Sequence, residues 1–226
     1  MNRIWAVIPA YQAEKTIGTL LTGIVPYIKL KQVIVVDDGS TDRTALRAVR
    51  AGAFTVSLDR NRGKGSALRM GFAIARELNA EWIFTLDADL QHDPAYIPDF
   101  LKLANRYDLI IGHRERTPGA MPWDRRFSNW STSRVLSIIS NHRIIDAQCG
   151  YRLIKTSILN ITKLTRRRYD LETEFLLKAV HAGARIGWTP ISTTYKGESS
   201  YIKRLPDTLR FLSVTMQHLL VTSWRS

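Results

Sequence analysis

Short apolar runs alternate with segments of helical spacing along the first half of the chain. The runs are rich in β-prone residues and predict strands, whereas the intervening apolar residues recur every three or four positions and predict helices. The predicted strands are 4–8, 32–36, 54–58, 82–86 and 109–112, and the predicted helices are about 14–27, 41–51, 66–79 and 95–106. Four such units in succession predict a mainly parallel sheet with helices on both faces.

The pattern changes after residue 113. Arginine, proline and tryptophan are interleaved over 113–134, which predicts a basic loop that leads into a helix. The later predicted elements are a helix at 127–140, a turn and short strand at 146–154, a helix at 169–182 and a strand at 185–193. The residues 201–226 place leucines on one helical face and predict an amphipathic C-terminal helix, which is suited to core packing, to a partner helix or to a membrane interface.

The net charge and the cysteine content limit the kind of partner and the compartment that suit this protein. The 226 residues have a net charge of +13, which suits an anionic partner such as nucleic acid, a phospholipid surface or a phosphorylated small molecule. The single cysteine, Cys149, excludes an internal disulfide and fits a reducing compartment. Because no run reaches about 18 uncharged apolar residues, we expect a protein that is either cytoplasmic or bound to a membrane face without crossing it.

Acidic residues follow two of the predicted strands. Asp87 and Asp89 come directly after the run 82–86, and an extended backbone would point both side chains the same way. Gln91 continues this alternation with an amide oxygen. Such oxygen ligands suit Mg²⁺ or Mn²⁺ shared with phosphate, although a solvated acidic turn explains Asp-x-Asp equally well. The histidines and Cys149 lack the short paired spacings typical of zinc ligands, which argues against a zinc site among them.

Three further motifs each allow a functional and a structural interpretation. Asp38 follows a strand and either accepts from a base or ribose or caps the next helix. In the turn 61–66, Lys64 or Arg62 either contacts phosphate or forms a basic helix start. Glu172 and Glu174 on a helix either include a general base or balance the helix dipole.

Taken together, these motifs resemble the inverting family 2 glycosyltransferases. The matching segments are Ile8–Tyr11, Val36–Asp42, Gly63–Gly65 and Asp87–His92, and the form Asp-Ala-Asp-Leu-Gln-His is similar to the polyprenyl-phosphate sugar transferases, such as dolichyl-phosphate mannosyltransferase. The resemblance implies a GT-A fold, an α/β Rossmann-like single domain with a mixed, mostly parallel sheet flanked by helices. It covers 1–200, with 1–112 as the nucleotide-sugar half and 113–200 as the acceptor half, and leaves 201–226 as the amphipathic tail.

The resemblance also implies residue roles. The residues implied to bind the nucleotide sugar are Pro9, Tyr11, Glu14, Val36, Asp38, Lys64, Asp87, Ala88, Asp89 and Gln91, of which Asp89 and Gln91 would hold Mg²⁺ or Mn²⁺. The residues implied to bind the acceptor phosphate are Arg114, Arg125, Asn129 and Lys196. The expected catalytic set is Asp89, Arg114, Asp146 and Glu174. Glu14 departs from the family pattern by one position, and Asn129 stands where a serine is usual.

The implied reaction moves a hexose from GDP-mannose or UDP-glucose to a polyprenyl phosphate, at the cytoplasmic face of the membrane. We expect no nucleic-acid partner, and the tail suits a membrane protein partner or a homo-oligomer. One alternative is a family 2 enzyme that acts on a saccharide hydroxyl, for which Asp146, Glu172 and Glu174 are the candidate bases. The others are a nucleotidyltransferase and a non-catalytic basic module that binds membrane or nucleic acid.

Overall fold

A computed structural model describes residues 3–114, 123–193 and 210–217, with side chains of the second range described from residue 126. The strands are β1 (Ile4–Ala10), β2 (Val33–Asp37), β3 (Phe54–Ser57), β4 (Trp82–Thr85), β5 (Leu109–Arg114), β6 (Arg152–Lys155) and β7 (Ile186–Ile191). The helices are α1 (Ile17–Ile24), α2 (Thr44–Ala51), α3 (Lys64–Glu77), α4 (Ile97–Leu103), α5 (Trp123–Ser140), α6 (Thr156–Ile161) and α7 (Asp170–His181). Short 3₁₀ turns occupy Leu30–Gln32 and Pro94–Tyr96.

One mixed sheet joins the two halves of the chain. Its strand order is β3-β2-β1-β4-β6-β5-β7. Only β6, among the strands of this sheet, runs antiparallel to its neighbours, β4 and β5. Because β6 comes from the second half of the chain and lies between two strands of the first, both halves contribute to one sheet and one core.

The predicted fold class is confirmed. The predicted helices and strands differ from the observed ones mainly in the residues at which they begin and end. The predicted helix 14–27 is shorter, Ile17–Ile24, and the helix predicted from 66 already begins at Lys64. The helix Thr156–Ile161 was not predicted, because six residues are too few to show an apolar period. The antiparallel direction of β6 was also not predicted, since it depends on pairing with distant strands.

The order of the strands in the sheet reverses at β1. From β1 the chain proceeds to β2 and β3 on one side, whereas β4 pairs with β1 on the other. Ligands of open α/β sheets bind at such a reversal of strand order. Ala10, at the end of β1, lies in register with Asp37, at the end of β2, so the acidic residues that follow β2 and β4 flank the end of β1.

The described part of the tail is a helical segment, 210–217. Val214 is buried and Phe211 packs against the core, whereas Leu212 and Met216 are exposed. The two described residues of the predicted apolar stripe, Leu212 and Met216, therefore face outward, and Val214 and Thr215 form the buried side. Among the helices of the described ranges, none has both the length and the hydropathy required to cross a bilayer.

Candidate active site

The acidic residues after β4 lie in a turn. Residues 88–90 form it, and Leu90 has a positive φ of 61°. The expectation of an extended backbone through Asp87 and Asp89 was therefore wrong. Asp87 Oδ1 lies 2.7 Å from Lys64 Nζ, whereas Asp89 Oδ1 accepts a hydrogen bond from the backbone amide of Gln91 at 3.0 Å.

Lys64 joins three elements of the site. Its Nζ lies 2.7 Å from Asp87 Oδ1 and 3.2 Å from Glu172 Oε1, and 5.9 Å from the centroid of the Tyr169 ring. Burial alone lowers the pKa of Lys64, but the attraction of Asp87 and Glu172 outweighs it and raises the pKa above the usual value. Burial likewise raises the pKa of Asp87, and the charge of Lys64 reverses this and lowers it. Because the pKa of Lys64 is raised and that of Asp87 is lowered, both side chains are ionised at neutral pH.

Gly150 closes this pair from the side of β6. A Cβ atom at this position would lie 2.6 Å from Asp87 Oδ2 and 3.0 Å from Lys64 Nζ. The carbonyl of Gly150 accepts a hydrogen bond of 2.7 Å from the Thr85 hydroxyl, which holds the loop against β4. Sequence reasoning missed Gly150, because a single glycine before a strand gives no sign of what it will approach.

Asp38 binds the turn that contains Lys64. Its two carboxylate oxygens accept hydrogen bonds of 2.8 Å each from the backbone amides of Arg62 and Gly63. Burial raises the pKa of Asp38, and these two amides oppose the shift. The amides that a phosphate loop would offer to a ligand are therefore occupied by Asp38. This favours the helix-start interpretation of 61–66, and nucleotide contact by Asp38 remains a prediction.

Arg114 and Asp146 form a second charged cluster. Arg114 Nε and Nη2 each donate a hydrogen bond of 2.8 Å to Asp146, one to each carboxylate oxygen. Burial raises the pKa of Asp146, but Arg114 outweighs it and holds the pKa below the usual range. A carboxylate with a lowered pKa is a weak proton acceptor at neutral pH, so the geometry favours Asp146 as the residue that orients Arg114 rather than as a base.

The two acids of α7 face different surroundings. Glu172 contacts Lys64, whereas Glu174 accepts from the backbone amides of Thr165 and Arg166 at 2.9 Å and from Lys178 Nζ at 2.8 Å. Burial raises the pKa of Glu174, and these donors together lower it. Two residues are about 200° apart around a helix, so only one of them reaches the site. The structure favours Glu172, and not the expected Glu174, as the acid of α7 that belongs there.

His92 packs against the loop that joins the two charged clusters. Its Nε2 lies 3.8 Å from Cys149 Sγ, and Cys149 lies in the chain between Asp146, which accepts from Arg114, and Gly150, which closely approaches Asp87. Burial lowers the pKa of His92 to about 4, so the imidazole is neutral at physiological pH. The Lys64–Asp87 cluster and the Arg114–Asp146 cluster therefore belong to one site.

A buried arginine, also missed from the sequence, supports this arrangement. Arg152 donates to the backbone carbonyls of Ala147, Cys149 and Glu172 at 3.0, 2.8 and 3.1 Å. It thereby joins the loop after Asp146 to the start of α7. The signal that was available is a charged residue inside the otherwise apolar strand β6, because a buried charge needs several polar partners.

The remaining predicted residues lie in varied positions. Pro9 and Val36 are buried register partners in β1 and β2. Glu14 accepts from the Arg43 amide and pairs with Arg47 at 3.2 Å, on the side of α2. The others are Tyr11, exposed after β1; Ala88, buried in the acidic turn; Asn129, half-buried in α5; and the Arg125 side chain and Lys196, which lie outside the described residues.

The donor set of the acidic turn fits a shared metal site. Within the described residues, no group of three or more histidine, cysteine or acidic side chains is arranged to hold a metal by itself. Mg²⁺ is commonly bound through one or two carboxylates together with substrate phosphates and water. Asp89 and Gln91, joined by a hydrogen bond within one turn, fit an ion that is held jointly with a diphosphate.

Proteins similar to this chain include one uncharacterized protein and two that are named for sugar transfer to a polyprenyl phosphate. An uncharacterized protein of Methanocaldococcus jannaschii is 31% identical over 201 residues, which cover 86% of this chain and 82% of the relative. UDP-N-acetylglucosamine–dolichyl-phosphate N-acetylglucosaminyltransferase of Methanococcus voltae is 27% identical, with 85% and 86% covered. Undecaprenyl-phosphate mannosyltransferase of Micrococcus luteus is 26% identical, with 84% and 83% covered.

Comparisons with solved structures and with family models identify the fold and the family. Glucosyl-3-phosphoglycerate synthase of Mycobacterium tuberculosis, solved with Mg²⁺ and UDP, superposes with a TM-score of 0.76 at 18% identity, covering 96% of this chain and 79% of that one. At this identity the likeness concerns the fold alone. The model of the family "Glycosyl transferase family 2" matches residues 5–162. The chain therefore belongs to glycosyl transferase family 2 and has the GT-A fold.

Proposed function

We propose that this family 2 glycosyltransferase moves a hexose from a nucleotide diphosphate sugar, GDP-mannose or UDP-glucose, to a polyprenyl phosphate. The observation on which the proposal rests is that the loop 146–150 joins two charged clusters: Gly150 closely approaches the acidic turn and Lys64 at one end, and Asp146 holds Arg114 at the other. The first suits a metal-bound diphosphate and the second suits another anion. Relatives named for dolichyl-phosphate and undecaprenyl-phosphate transfer support the acceptor class.

The chemistry follows from these charges. A divalent ion, when bound by Asp89 and Gln91, would neutralise the charge that develops on the departing nucleotide diphosphate. Arg114 would provide fixed positive charge for the acceptor phosphate, because Asp146 already holds its guanidinium in one orientation. The acceptor oxygen would attack the anomeric carbon from the face opposite the leaving diphosphate, so that the configuration inverts.

A phosphate acceptor also explains why the site needs no strong base. The second pKa of a phosphate monoester is about 6, so the acceptor is mostly dianionic at neutral pH. This agrees with the lowered pKa of Asp146 and with the engagement of Glu174 by the 165–166 loop. Neither Asp146 nor Glu174 then has to remove a proton.

A saccharide hydroxyl acceptor is the second candidate. A hydroxyl must lose its proton during attack and therefore needs a base. Glu172, which lies 3.2 Å from Lys64 Nζ, is the acid of α7 that the structure brings to the site. Membership of the family disfavours the nucleotidyltransferase and the non-catalytic basic module.

The test is to incubate the protein with a panel of nucleotide sugars and a short polyprenyl phosphate and to weigh the lipid product. We expect a hexosyl lipid that forms only with Mg²⁺ or Mn²⁺ present. Transfer to saccharide hydroxyls alone would replace the lipid acceptor by the second candidate. Replacing Arg125 by Ala should weaken binding of the lipid acceptor more than binding of the nucleotide sugar. An unchanged dependence of the rate on acceptor concentration would reject the assignment of Arg125 to the acceptor phosphate.

The metal role has its own matched pair of variants. Asp89→Ala should abolish transfer and metal-dependent nucleotide binding while leaving the fold intact. Asp99→Ala removes an acid that pairs with the exposed Lys102 on α4, and it should keep full activity. Full transfer by Asp89→Ala after metal removal would refute the metal assignment.

A further inference from the structure

The outer face of α5 exposes apolar side chains in a single stripe. We define this face by Phe127, Trp130, Arg134 and Ile138, which follow one another at spacings of three and four residues and so lie on one side of the helix. Phe127, Trp130 and Ile138 are 54%, 49% and 69% exposed. The rings of Phe127 and Trp130 are 6.0 Å apart, which makes one continuous aromatic surface.

The opposite face of α5 is bound to the loop that contains Asp146. The Ala147 amide donates to Ser133 Oγ at 3.1 Å, and Gln148 Nε2 donates to Thr132 Oγ1 at 3.3 Å. Leu136 is completely buried on the same side. A helix with its side chains is about 10–12 Å thick, so the outer face lies roughly one helix diameter from the loop that orients Arg114.

From residue 126 to residue 145, the charge on α5 and on the turn that follows it has one sign. Arg126, Arg134 and Arg143 are exposed, and no acidic residue occurs between 126 and 145. Exposed aromatic rings beside arginines suit the headgroup region of an anionic bilayer, where the rings enter the interface and the guanidinium groups meet lipid phosphates. A two-fold contact with a second copy of this chain would instead bring equal arginines together.

We propose that the outer face of α5 is the surface by which this protein lies on an anionic membrane. Contact through this face places the Asp146 loop and Arg114 about one helix diameter above the headgroups. A polyprenyl phosphate in the same bilayer then presents its phosphate to Arg114 from the membrane side. This last step rests on the proposed function, whereas binding to the bilayer does not.

The experiment is sedimentation of the full chain with vesicles of phosphatidylcholine alone or mixed equally with phosphatidylglycerol. The wild type should bind the mixed vesicles more tightly and lose binding as salt rises. The double variant Trp130→Ser with Ile138→Ser should bind at least tenfold more weakly. Arg134→Glu changes the net charge by two, so its binding to the mixed vesicles should fall about 20- to 30-fold, whereas its binding to phosphatidylcholine vesicles should not change. Val49→Ser, at an exposed apolar position of α2, should bind like the wild type.

Transfer assays separate this proposal from the proposed function. With a short, water-soluble polyprenyl phosphate the outer-face variants should match the wild type, but with a long acceptor in vesicles they should be at least tenfold slower. No vesicle binding by the wild type, or equal binding by all variants, would overturn the membrane surface. So would loss of self-association in the variants, seen by sedimentation velocity, with vesicle binding unchanged. If vesicle binding behaves as expected but no polyprenyl phosphate is glycosylated, only the proposed function fails.

Discussion

Replacing Lys64 by Met tests the charge cluster at the centre of the site. Lys64 contacts Asp87 at 2.7 Å and Glu172 at 3.2 Å, and the three side chains are only 17%, 26% and 11% exposed. Methionine keeps most of the volume of the side chain but leaves two carboxylates close together without this cation. Removing one partner of a buried ion pair costs about 3–5 kcal/mol, because the remaining charge is poorly solvated. We expect about 3 kcal/mol here, since Asp87 keeps some contact with water.

The cost should depend on pH in a defined direction. In the wild type the pKa of Asp87 is lowered, so its stabilising contribution is complete above the ordinary pKa of about 3.9 and is lost as the pH falls through the lower folded value. In Lys64→Met the two carboxylates repel each other, which raises their pKa values, so the variant loses stability as the pH rises. The difference in free energy of unfolding should therefore widen from about pH 4 to pH 7.

Urea unfolding of both proteins across this pH range measures the effect. Lys102→Met is the matched control, because Lys102 pairs with Asp99 at 2.6 Å but is 73% exposed. Exposed pairs contribute less than about 1 kcal/mol, so the control should change little at any pH. Adding Glu172→Gln to Lys64→Met should restore part of the lost stability by removing the repulsion. A loss below 1 kcal/mol at pH 7, or one independent of pH, would refute the interpretation of a buried charged cluster.

Two further substitutions test the geometry around these clusters. Gly150→Ala should cost about 1–3 kcal/mol by thermal unfolding, because the added Cβ would lie 2.6 Å from Asp87 Oδ2; Gly18→Ala, whose Cβ meets nothing within 4 Å, should not destabilise, and equal effects would contradict the close approach. Arg114→Lys loses the two parallel hydrogen bonds to Asp146, so kcat/KM for the acceptor should fall about tenfold or more with the KM of the donor nearly unchanged. The exposed Arg143→Lys is its control, and wild-type kinetics in Arg114→Lys would argue against an oriented guanidinium.

Local patterns were sufficient for the parallel strands of the first half and for the acidic edge of the sheet. The apolar runs that end at Asp37 and at Asp87 predicted parallel strands with acids at their C-terminal ends, and the structure has both. This succeeds because burial on both faces requires a continuous apolar strand, and because parallel strands end on the same side. The motif Asp-Ala-Asp-Leu-Gln-His also indicated the family, which the comparison of sequences confirmed.

Contacts between distant segments decided the rest. Asp38 binds the amides of residues 62 and 63, and Lys64 reaches Glu172 across 108 positions of the chain. Glu172 and Glu174 are indistinguishable by residue type, and only the packing of α7 determines which of them faces Lys64. Short-range spacing records what one strand or helix needs, but the partner of a buried charge is set by the assembled sheet, because burial without a partner costs more than any local preference supplies.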